Sequence, residues 1–65
     1  MIGEVAIVCV PLTPSGKVFV QGELWDAVSP VNVEAGRKVV VRRVENLVLH
    51  VEPVHEAVPQ VLTTG

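Results

Sequence analysis

Residues whose side chains can hold a metal ion occur in one short stretch of this sequence. His50 and His55 lie near Glu52 and Glu56, and imidazole and carboxylate groups are both ligands of zinc. Zinc sites, however, group their ligands on a rigid element, and Pro53 interrupts the predicted strand between the two histidines. We therefore expect no metal site and no cofactor.

The candidate nucleophiles lack the neighbours that would activate them. Ser15 and Ser29 each lie beside a proline, where a serine hydroxyl commonly bonds to the backbone of a turn. Cys9 is the only cysteine and stands in the apolar run VAIVCV, which predicts a small buried side chain. Because no serine–histidine pair, activated cysteine or paired carboxylates occurs in the sequence, we predict no catalytic residues and no enzyme activity.

Trp25 and the basic residues raise the question of nucleic-acid binding. An exposed aromatic ring can stack on a base, but period-2 alternation places Trp25 on the same side as Ala27, towards the core. There we expect its indole N–H to bond to a backbone carbonyl. The formal net charge is −2, and the best basic cluster is Arg37, Lys38, Arg42 and Arg43. We predict no nucleic-acid binding, and a single-strand or small-ligand binding domain remains the alternative function.

The elements that must position these residues are short β-strands. Valine dominates the apolar residues, and alternating stretches predict strands at residues 4–10, 17–21, 23–28, 38–44 and 47–52. Tight turns are expected at Gln21-Gly22 and Glu45-Asn46. The connection of residues 29–37 contains Pro30 and Gly36 and is too short and broken for a helix. The fold class is therefore all-β.

A closed sheet suits so small a chain, because open strand edges invite aggregation. Strict alternation slips at Arg42-Arg43, which predicts a bulge that helps the sheet to curl. We expect a barrel domain at residues 1–53 and a flexible tail at residues 54–65, because the stretch from Pro53 onward has two prolines and no alternation.

Alternation also assigns the two faces of the predicted strands. The inward set, completed by Ile7 or Val8 and by Leu47, is Val18, Val20, Trp25, Ala27, Val39, Val41, Val44, Leu49 and Val51. The outward apolar residues include Val40 and Val48, and our candidate protein-interaction residues are Phe19, Leu24, Val31 and Val33. We expect these to contact a protein partner or another copy of the chain.

Two linked motifs carry a resemblance to a known family. The order L.PSGKV.V.GE.W.AVS, then V..G..V.V..V..L.L.VEP, is similar to the C-terminal soluble domain of the NfeD-like (nodulation formation efficiency D) family over about residues 3–53. The resemblance implies a five-stranded Greek-key barrel of OB-fold type, with no helix between strands 3 and 4.

The resemblance also implies a role. Such a domain follows transmembrane helices in a longer protein, so its membrane tether would lie in segments absent from this chain. Apart from the resemblance, the single cysteine fits a reducing compartment, and we expect the domain on the cytoplasmic side. Its implied partner is a stomatin-like (SPFH, prohibitin-homology) protein, in membrane scaffold assembly or quality control. Long members of the family carry an N-terminal serine protease domain, so regulation of a protease is also compatible, as is a homo-oligomer.

Overall fold

The structure is a computed structural model that describes residues 1–54. The strands in this range are Val5–Val10 (β1), Ser15–Val20 (β2), Glu23–Val28 (β3), Lys38–Glu45 (β4) and Val48–Pro53 (β5). Each bound lies within two residues of the alternation-based prediction. Apart from Val54, the predicted flexible tail lies outside the described residues.

The strands close into a barrel in the order β1-β2-β3-β5-β4, with β4 returning to β1. All neighbours pair antiparallel except β3 and β5, which are parallel. The predicted all-β, five-stranded, OB-fold-like barrel is thus confirmed, and the connection from β3 to β4 contains no helix. No helix in residues 1–54 is long and apolar enough to cross a membrane.

The barrel interior is built from small aliphatic side chains contributed by all five strands. The expected inward residues that are buried are Val18, Val20, Ala27, Val39, Val41, Leu49 and Val51. On β1, Ala6 and Val8 face the core, whereas Ile7 is exposed. Cys9, expected to be buried, is exposed because it shares the outward phase of Ile7.

Two expected core residues near the β4–β5 turn are exposed instead. The turn residues are Asn46 and Leu47, one position later than predicted, and both have positive φ. Leu47 therefore belongs to the turn and is 75% exposed. Val44 pairs with inward Leu49, yet it is 39% exposed. The reason is that β1 pairs with β4 only as far as Val40, so the end of the hairpin projects past the barrel wall.

The β3–β4 connection closes the opposite end of the barrel. Leu12 and Val33 exchange backbone hydrogen bonds of 2.9 and 3.0 Å, and both are buried. Val33 is only 7% exposed, so its expected role as a surface interaction residue is wrong. No helix covers this end of the barrel in the described residues. The buried side chains of Leu12 and Val33 cover it instead and shield the core from water.

Trp25 lies at the end of the barrel where β3 begins. It is half-buried, packs against the core and pairs directly with Val18 on β2. Its indole Nε1 is buried, but no atom of residues 1–54 accepts a hydrogen bond from it, in contrast to the expected bond to a carbonyl. Trp25 therefore covers this end of the core with its apolar ring, and no hydrogen bond to residues 1–54 fixes the orientation of the indole.

Candidate protein-interaction surface

Three large apolar side chains form one continuous row on the outside of the barrel. Phe19 on β2 lies directly opposite Leu24 on β3 and, on its other side, opposite Ile7 on β1. Directly opposed residues of antiparallel strands have Cβ atoms about 4.5–5.5 Å apart, so these three side chains are cross-strand neighbours. They are 37% (Ile7), 46% (Phe19) and 58% (Leu24) exposed. We call this set the apolar row.

Polar groups border the apolar row on β2, β3 and β4, whereas on β1 its outward neighbours are the exposed Val5 and Cys9. Lys17 and Asp26, each two residues from the row on its own strand, lie opposite each other, and Lys17 Nζ donates a hydrogen bond to Asp26 Oδ1. Lys38 lies opposite Ile7 at the other end of the row. An apolar centre with a polar rim is the usual anatomy of a protein–protein interface.

The row contains two of the candidate interaction residues and one residue that was not predicted. Phe19 and Leu24 are brought together as expected from alternation. Ile7 was missed because the run VAIVCV is apolar in both phases. Val31 is half-exposed on the β3–β4 connection and Val33 is in the core, so neither belongs to the row.

Ser29 and the candidate metal ligands were the residues considered for chemistry. Ser29 is buried, and its Oγ accepts a hydrogen bond from the backbone N–H of Val31 at 3.2 Å, which stabilises the turn after β3. Among residues 1–54, no three His, Cys, Asp or Glu side chains are grouped closely enough to hold a metal ion. His55 and Glu56 lie outside the described residues.

The predicted bulge in β4 is confirmed and sets the position of two arginines. The register of β4 against β5 shifts between Val41 and Arg43, which makes Arg42 the extra residue. Arg42 Nε lies 3.9 Å from Glu52 Oε1, and Arg43 Nη2 lies 3.6 Å from Glu45 Oε1. His50 Nε2 is 3.5 Å from the same Glu45 oxygen. These exposed contacts contribute little to stability.

Comparison with known proteins supports the barrel fold. The C-terminal domain of stomatin operon partner protein 1510-C from Pyrococcus horikoshii superposes with a TM-score of 0.83 and is 38% identical in sequence. The match covers 86% of this chain and 91% of that domain. No curated protein matches the chain.

A family model gives the assignment directly. The model for the NfeD-like C-terminal, partner-binding domain matches residues 1–53. Those residues include all five strands and the whole apolar row. A domain described as partner-binding indicates a role in protein interaction. The chain belongs to the NfeD family, as its C-terminal, partner-binding domain.

Proposed function

We propose that this domain binds a stomatin-like (SPFH, prohibitin-homology) protein through the apolar row of Ile7, Phe19 and Leu24. The supporting observation is that three large apolar side chains are aligned by strand register and left half-exposed, with an ion pair at their border. Aromatic and aliphatic side chains within a polar rim are typical anchors of a protein interface. The related structure is named for a stomatin operon partner, which supports this class of partner.

We also propose the setting in which this binding operates. The domain acts without catalysis, tethered to a membrane through other segments of a longer protein, on the cytoplasmic side. Binding there brings the stomatin-like protein to the membrane for scaffold assembly or quality control. The family description as partner-binding supports a role in recognition rather than turnover.

A double substitution tests the binding surface. Phe19→Ser with Leu24→Ser removes two anchors, so affinity for a purified stomatin-like protein should fall about thirtyfold. Binding is measured by isothermal titration calorimetry, after circular dichroism has established that the variant is folded. The matched control replaces two exposed apolar residues outside the row, Ile2→Ser with Leu47→Ser, and should keep nearly full affinity. Equal losses in both variants, or no loss in the first, would refute this surface.

Titration with a single-stranded oligonucleotide at low salt distinguishes the proposed protein binding from the alternative function, binding of single-stranded nucleic acid. Lys17 is engaged by Asp26, and the row offers one aromatic ring, Phe19, for base stacking. Several phosphate contacts and stacked bases are needed for tight binding, so we expect no saturable signal. Saturable, salt-sensitive binding that Phe19→Ser abolishes would favour the nucleic-acid function instead.

A further inference from the structure

The bulge in β4 turns two adjacent arginines to the same side of the barrel wall. Val41 pairs with Val51, and Arg43 pairs with His50, so Arg42 has no partner residue on β5. In an uninterrupted strand, neighbouring side chains point to opposite faces, and one arginine would face the core. With the bulge, both side chains are about three-fifths exposed, at 61% and 60%.

A groove of about 380 Å³ lies beside these arginines, between β5 and the turn that follows β3. Apart from two valines, the residues that line it are Ser29, Pro30, Arg42, Arg43, His50 and Glu52. Its volume is within the range of pockets that hold small ligands or single side chains. We call it the arginine groove.

The guanidinium groups keep donors available for a ligand. The contacts to Glu52 and Glu45, at 3.9 and 3.6 Å, are longer than a hydrogen bond to a carboxylate. A guanidinium carries five N–H donors in a planar fork that matches the two oxygens of a carboxylate. A carboxylate from outside can therefore form the short, paired hydrogen bonds that these internal contacts do not.

We propose that the arginine groove binds a carboxylate-bearing, acidic segment of the partner protein. This inference rests on the proposed function, because it names the chemistry of a second contact with the same partner. The argument for this occupant is local: Arg42 and Arg43 lie side by side in the groove wall, and their contacts with Glu52 and Glu45 are too long to occupy their N–H donors.

A nucleic-acid strand fits the arginine groove less well. Among the described residues that line it there is no Phe, Tyr or Trp, and His50 is the one aromatic ring, so successive bases have no row of rings on which to stack. The Glu52 carboxylate in the wall repels phosphates and carboxylates alike. A peptide can space its carboxylates so that they meet the arginines and avoid Glu52, whereas a nucleic-acid backbone carries a charge at every nucleotide.

The test uses the full chain and a short capped peptide of alternating Glu and Gly, followed by amide chemical shifts in NMR. We expect saturable shifts centred on Ser29, Arg43 and His50, and no such shifts with the matched Gln and Gly peptide. Arg42→Gln with Arg43→Gln should weaken peptide binding about tenfold. The control, Arg37→Gln with Lys38→Gln, makes the same change in net charge outside the groove and should leave binding within about twofold.

Three results would overturn the proposal. One is equal shifts with both peptides, and another is equal losses in the two double variants, which would indicate a general charge effect. The third is tighter binding of inorganic phosphate or of a single-stranded oligonucleotide in the same groove. Phe19→Ser with Leu24→Ser should not affect peptide binding, so failure here and failure of the apolar row give different results.

Discussion

At the scale of single residues, Trp25 is the side chain whose type suggests ligand stacking but whose position is against the core. It is the only tryptophan, and its ring packs against the barrel interior at one end. The buried Nε1 has no acceptor within residues 1–54, and an unsatisfied buried donor costs about 1–3 kcal/mol. Burial of the ring must exceed this cost, so Trp25 stabilises the barrel through its apolar area.

Gly16 is required by the close approach of two strands. A Cβ atom at this position would overlap the backbone oxygens of Val10 and Pro11, beside the irregularity in β1. Gly16→Ala should therefore lower the free energy of unfolding by about 2–4 kcal/mol. Urea denaturation followed by tryptophan fluorescence measures this change.

The control for Gly16 separates overlap from backbone strain. A Cβ atom at Gly36 would meet open space, although φ there is +89°. Gly36→Ala should cost about 1–2 kcal/mol, the strain of a left-handed backbone alone. If Gly16→Ala cost less than Gly36→Ala, the close approach would not be the reason for glycine at position 16.

At the scale of elements, the β4–β5 turn contains a residue unsuited to its backbone. Asn46 and Leu47 have φ values of 52° and 64°, a geometry that favours Asn-Gly. Leu47 is mostly exposed and buries little area in exchange for this strain. Leu47→Gly should stabilise the chain by about 1 kcal/mol and raise Tm by about 4–8 °C.

Thermal unfolding by circular dichroism measures the effect of Leu47→Gly. Asn46→Gly is the matched control and should change Tm little, because asparagine already tolerates a left-handed backbone. A lower Tm for Leu47→Gly would mean that the leucine side chain stabilises the hairpin through packing.

The strands and the bulge could be predicted from the sequence because alternation is a local property. The burial of Val33 could not, because it depends on a bridge to Leu12, far away in the chain. Ile7 was missed for a related reason: in an apolar run, only the pairing with β2 and β4 decides which phase faces outward. Phe19 and Leu24 were predictable because polar neighbours mark their phase.

At the scale of the whole molecule, closure of the sheet limits how a partner can bind. Each of the five described strands has two neighbours along part of its length, so none has a whole edge free for an added strand. Among the described residues, closure therefore favours recognition through side chains on the barrel wall over strand addition. The apolar row occupies β1, β2 and β3, whereas the arginine groove occupies β4, β5 and the end of β3.

This division of surfaces predicts how salt affects the proposed complex with a stomatin-like protein. Raising NaCl from about 0.1 to 1 M shortens the Debye length from about 10 to 3 Å, which weakens contacts at exposed arginines. Affinity of the unmodified chain should fall about threefold to tenfold. The Arg42→Gln, Arg43→Gln variant should lose less than about twofold, because apolar contacts do not depend on charge screening.

The variant of the apolar row completes this salt comparison. Phe19→Ser with Leu24→Ser should bind more weakly at every salt concentration, but with the same relative loss as the unmodified chain, since its arginines are intact. Calorimetric titrations at both salt concentrations measure each loss. A salt dependence that persisted without the two arginines, or that disappeared with the two apolar residues, would contradict separate roles for the two surfaces. The expected pattern follows because the closed barrel holds the two surfaces apart, with β3 the one strand common to both and contributing its first half to the row and its end to the groove, so that one surface can be changed without moving the other.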